Sequence, residues 1–115
     1  MGSEVHASSI AALREFAVRY KRFVQTVFEI LEKAEADFRR RWQTLEERYR
    51  LQQRRVIELR RRVEQADEEE QGYYEKLLAE AEERLQEMRR QMGRVHEQYE
   101  AYLHHAQRIR ELTNQ

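Results

Sequence analysis

From Leu13 onward, apolar residues return at Phe16, Tyr20, Phe23, Val27, Leu31, Ala34, Phe38, Trp42, Leu45 and Tyr49, then at Val56, Leu59, Val63 and Ala66. Only Gln52 interrupts the series with a polar side chain. Fifteen steps cover the 53 residues from 13 to 66, about 3.5 residues per step, which is the spacing of a helix packed lengthwise on another helix. Consecutive steps of four, at Phe23-Val27-Leu31 and Ala34-Phe38-Trp42, locally relax the supercoil that a strict heptad imposes. Ser8 or Ser9 is placed to cap the start by accepting a bond from a first-turn amide. The pattern predicts one helix over residues 9–66. A break at Trp42 is the alternative. Thr44-Leu45-Glu46-Glu47 has capping-box spacing, which would divide the chain into Ser9–Arg41, Thr44–Ala66 and Tyr73–Leu112.

The stripe lapses over 67–72, where Asp67, Glu68, Glu69 and Glu70 cluster before Gly72, and this segment reads as the turn. A second stripe follows at Tyr74, Leu78, Ala81, Leu85, Met88, Met92, Val95, Tyr99, Tyr102, Ala106, Ile109 and Leu112, predicting a helix over 73–113. If the chain folds back near residue 70, opposed residues must have numbers with a constant sum. They do: Val63 with Leu78, Leu59 with Ala81, Val56 with Leu85, Gln52 with Met88 and Tyr49 with Met92 all total 140 or 141. The same register continues through Leu45 with Val95, Trp42 with Tyr99 and Phe38 with Tyr102. Two independent stripes sharing one register predict an all-α fold, a long antiparallel helical hairpin with coiled-coil-like packing. Its expected core comprises Phe38, Trp42, Leu45, Tyr49, Met92, Val95, Tyr99 and Tyr102. Residues 1–8 read as a disordered N-terminus or a tag remnant, and 9–113 as one domain.

The second helix would end near Leu112, opposite about residue 27, and this leaves the first helix with an apolar overhang. Fourteen of the 22 residues from Ile10 to Leu31 are apolar, against nine of the 34 from Arg39 to Gly72. Apolar surface of that extent is rarely left bare. Ile10, Leu13, Phe16, Ala17, Tyr20, Phe23, Val24 and Val27 are therefore the expected interface of a homodimer, arranged as four helices, or the docking face for a partner helix.

Composition narrows the function classes. The 115 residues include no cysteine, no proline and three glycines. That excludes a disulfide framework, a thiol nucleophile and a thiolate metal site, and it disfavours turn-rich β folds. The 22 basic and 22 acidic residues cancel, but they are segregated. Residues 37–62 carry ten Arg and four acids, and residues 64–87 ten acids and two bases. Such blocks read first as solvated helix faces that help set register. A head-to-tail rod or filament, or an arginine-mediated nucleic-acid binder, are the alternatives. His96, Glu100 and His104 share one helix face, yet two histidines eight residues apart lie about 12 Å apart along the axis, too far to share one zinc. No phosphate-binding glycine loop or nucleophile–base arrangement occurs. Accordingly no metal, cofactor, small-molecule substrate or enzymatic activity is expected. No apolar run is long enough to span a bilayer, and the N-terminus lacks a classical signal. These features point to the cytoplasm or to export without such a signal.

A cysteine-free chain of about a hundred residues, almost wholly helical, with Trp42 near the middle and an amphipathic opening Ser8-Ser9-Ile10-Ala11-Ala12-Leu13-Arg14-Glu15-Phe16, resembles the small Trp-x-Gly (WXG-like) proteins of bacterial type VII secretion. The resemblance implies a helical hairpin, dimerisation, and a role as an exported substrate or as partner of a toxin or secretion component. This chain has Trp42-Gln43-Thr44 where that family turns on Trp-x-Gly. Leu103 and Ala106 stand where the family's Tyr-x-x-x-acid tail signal would need an acid after Tyr99 or Tyr102.

Overall fold

In the computed structural model, which describes residues 2–114 and the side chains from His6 onward, two helices account for nearly the whole chain: α1 (Gly2–Gln65) and α2 (Glu68–Thr113). Met1, part of the expected tag remnant, lies outside the described residues. The chain is an all-α helical hairpin of two compact units, Asp37–Leu103 and Met1–Ala36 with His104–Gln115.

Two boundaries differ from the sequence expectation, each for a local reason. Helix α1 begins at Gly2 rather than at Ser9. No proline follows to stop propagation backward from residues 10–31, and extending a nucleated helix is cheap. As the uninterrupted stripe predicts, α1 does not break at Trp42. The Thr44 hydroxyl donates back to the Arg40 carbonyl at 3.0 Å, the bond a mid-helix threonine makes, instead of capping a new helix forward.

The turn is Ala66-Asp67 alone, and not 67–72. Asp67 caps α2: its Oδ1 accepts the Glu70 amide at 3.0 Å and its carbonyl accepts the Gln71 amide at 3.0 Å. With Glu70 three residues on, this has the sequence pattern of a capping box. Glu68, Glu69 and Glu70 form the acidic first turn, where the helix dipole favours negative charge. The acids that look like a helix stop are a helix start. Gly72 then lies inside α2, and neither it nor Gly93 has a positive φ. A Cβ built at either would meet nothing within 4 Å. Gly72→Ala and Gly93→Ala are each expected to raise stability by about 0.5–1 kcal/mol, read as a higher thermal midpoint by circular dichroism. A fall for Gly72→Ala would return that residue to the turn.

In the unit Asp37–Leu103, the helices meet along the two stripes. Val56, Leu59 and Ala81 form a buried cluster, with Tyr74, Leu77, Leu78 and Leu85 packed against it. Phe38 faces Tyr102 as the register requires, with ring centroids 5.4 Å apart, and it also meets Tyr99 at 5.5 Å. Trp42, expected opposite Tyr99, sets its ring 6.2 Å from that of His96. Polar side chains bridge the helices beside the seam. The Arg89 Nε donates to the Tyr49 hydroxyl at 2.6 Å, and Arg60 pairs with Glu82 at 3.2 Å. That ion pair is largely exposed, so its contribution is at most about 1 kcal/mol. Apolar burial along the seam outweighs it.

Gln52, the polar interruption of the first stripe, is buried, at 8% exposure. Its Nε2 donates to the Ala81 carbonyl at 3.0 Å, reaching past the expected Met88. A small residue at 81 lets the amide approach the backbone. The bond contributes about 1 kcal/mol, less than the roughly 2 kcal/mol that a buried leucine side chain gains. Gln52→Leu should therefore stabilise the hairpin by about 1 kcal/mol in urea titrations. A loss of stability would show that the amide is worth more than its burial costs.

In the other unit, Leu31 and Ala106 are buried, and Arg110 lies 3.8 Å from Glu35. Helix α2 ends its seam on Thr113, which is half-buried, with its hydroxyl donating to the Ile109 carbonyl at 3.0 Å. Leu112, expected as the last stripe residue, is 66% exposed. Ile109, also expected on the stripe, is exposed; the covered positions run from Tyr102 through Ala106 and Arg110 in steps of four and then three to 113, so threonine takes the seam and leucine faces outward.

Candidate docking surface

The expected interface residues all lie on α1, and every described residue from His6 to Phe23 is exposed. Leu13 is 68% exposed, Phe16 66% and Phe23 60%, with Tyr20 at 47% and Ile10 at 37%. Ala17 is exposed as well, whereas Val24 and Val27 are half-buried. The cover that α1 receives within the unit therefore starts at Val24, close to where the register places the end of α2. Phe16 and Tyr20 stack along the helix, with centroids 6.3 Å apart, so the two rings form one continuous apolar strip. Arg19 is tied to Glu15 at 2.7 Å on the flank.

Ile30 belongs to this surface too, at 61% exposure, although neighbouring Leu31 is buried. The expected interface stops at Val27, and Ile30 extends it by one turn. Its spacing is the signal: Phe16, Phe23 and Ile30 recur every seven residues, so they share one line along the helix. Val18, 52% exposed, lies on the far side of α1 from that line. Lone apolar residues of this kind are ordinary on a protein surface.

Of the eight residues expected in the hairpin core, Val95 is buried, while Phe38, Trp42, Leu45, Tyr49, Met92, Tyr99 and Tyr102 are half-buried. Two helices bury only the line between them, so large aromatic rings keep one edge in solvent. The best-buried cluster, Val56 with Leu59 and Ala81, lies nearer the turn and is built from smaller side chains.

Candidate chemistry is sparse. His96 Nε2 stands 3.7 Å from Glu100 Oε1, and both side chains are exposed. His104 packs against His105, with centroids 5.7 Å apart. Among the described residues, no group of three or more His, Asp or Glu is placed to hold a metal ion. No helix there is long and apolar enough to cross a membrane.

No family model matches this sequence, and comparison with curated proteins and with solved structures finds no match either.

Proposed function

We propose that the chain is a non-enzymatic helical interaction protein that binds a second copy of itself or a partner helix through its apolar N-terminal segment. One observation carries this reading: the exposed strip from Leu13 through Phe16, Tyr20 and Phe23 lies upstream of the first half-buried position, Val24. Apolar side chains contribute to association in proportion to the area they remove from water, and this is the largest concentration of them on the chain. The resemblance to Trp-x-Gly proteins extends the proposal to a substrate or accessory of a type VII-like secretion or toxin system. The hairpin and the mid-chain Trp42 support that extension. The opposed charge blocks give less support to a filament or a nucleic-acid binder, because acidic and basic residues already meet within the hairpin, as at Arg60 and Glu82.

Sedimentation velocity over a concentration series tests the reading. Association of the wild type that disappears when Phe16 and Phe23 are replaced together supports it. Association indifferent to those two residues overturns it.

A further inference from the structure

Resting on that reading, we propose that the occupant of the strip is a second copy of this chain, running antiparallel and pairing along Leu13, Phe16, Tyr20, Phe23, Val27 and Ile30. Steps of three and four alternate through these six residues, the spacing that keeps one helix against another. A neighbouring line, Val24-Val27-Leu31, belongs to the seam inside the unit: Leu31 is buried, and Val24 and Val27 are half-buried. Ile30 stays 61% exposed in the same stretch, so the strip runs alongside that seam without being used by it. Val27 is common to both lines, and its half-burial fits a residue with a second neighbour still to come.

The area suffices. Five side chains, from Leu13 to Ile30, each stand about half or more exposed. With aromatic side chains offering 150–250 Å² apiece, the strip presents roughly 600 Å² per chain. A pair would then bury ~1,200 Å², the lower bound of stable interfaces.

Direction follows from volume, and the choice of line from charge. Antiparallel pairing about a point between Lys21 and Arg22 sets Leu13 against Ile30 of the second copy, Phe16 against its Val27, and Tyr20 against its Phe23. Large rings meet smaller side chains at the outer positions, as interdigitating knobs require. The polar flank then places Arg19 beside Thr26 of the second copy, and Lys33 beside its Ala12. No like charges are opposed there. Parallel pairing would set ring on ring at equal positions, Phe16 on Phe16, Tyr20 on Tyr20 and Phe23 on Phe23. Antiparallel pairing along the alternative Ile10-Leu13-Ala17-Tyr20 line would bring Arg14 beside Lys21.

The absence of cysteine makes disulfide trapping clean. Chains carrying Leu13→Cys and chains carrying Ile30→Cys, mixed at a concentration where the wild type sediments as a dimer, should form a mixed disulfide under mild oxidation. The yield should exceed that of either variant alone at least tenfold. In the antiparallel pair, two Leu13→Cys thiols stand 17 residues apart along the axis, about 26 Å, far beyond bonding reach. Efficient Leu13→Cys self-cross-linking would overturn the antiparallel register and leave the functional reading standing. A wild type that sediments as a monomer at about 100 µM would overturn the second copy as occupant and leave the partner helix. A monomer that instead floats with phosphatidylglycerol vesicles through the same strip would assign the surface to lipid and overturn both. A dimer that persists after Phe16→Asp and Phe23→Asp would overturn the functional reading itself.

Discussion

Phe16→Asp combined with Phe23→Asp is expected to convert the associated protein to a monomer while leaving its helix content almost unchanged. The rings are 66% and 60% exposed, so within one chain their loss removes only the Phe16–Tyr20 stacking contact and similar local packing. In the associated state, each ring contributes about 2 kcal/mol of apolar burial, and a dimer contains four of them. Aspartate also places four carboxylates in a low-dielectric contact, where unpaired charge is costly. A total of ~8 kcal/mol corresponds to about 10⁵ to 10⁶ in the dissociation constant. Sedimentation at micromolar and millimolar concentration spans enough of that range to detect the change. Circular dichroism of the same samples separates lost association from lost folding.

Leu59→Ala should have the opposite profile, with a large loss of stability. Leu59 is 6% exposed and packs with Val56, 3%, and Ala81, 5%. Truncation there removes the transfer energy of the lost methyl-bearing carbons and leaves a void that a hairpin closed by a two-residue turn only partly collapses. The expected cost is about 2–4 kcal/mol, a drop in thermal midpoint of roughly 8–15 °C at this chain length. Protein concentration must be held constant, because the proposed association would add its own stabilisation. Ile57, on the same turn of α1 but 50% exposed, provides the control. Ile57→Ala should cost below about 1 kcal/mol. Equal effects at 57 and 59 would mean that the buried seam lies elsewhere.

The hairpin was legible because its signal is redundant. Two stripes of the right period, matched in register over many pairs, can be satisfied together only by helices lying side by side. Phe38 against Tyr102 and Leu59 near Ala81 follow directly from that matching. The turn was legible only in position to within a few residues. Clustered acids beside a glycine suggest a break, but the same residues in the order Asp67, Glu68, Glu69, Glu70 cap a helix and complement its dipole. Side-chain bonding at Asp67, not average polarity, decides between the two. Leu112 misled through hydrophobicity alone, since helical phase assigns the seam to Thr113. At the docking surface, the overhang was visible as a concentration of apolar residues. Which of its lines stays open was not, because Ile30 and Leu31 are adjacent and similar in composition but face different ways.

The placement of the buried cluster beside the turn has a consequence for how the chain is made. Leu59 and Ala81 are 22 residues apart in sequence, whereas Leu31 and Ala106, buried apolar residues of the other unit, are 75 apart. Closing the longer loop costs about 1 kcal/mol more in chain entropy, so the hairpin zips from its turn toward its ends. During synthesis at 5–20 residues per second, the ribosome needs roughly 4–15 s to proceed from Leu31 to Ala106. For those seconds the most apolar segment of the protein is already made and has no cover from its own chain.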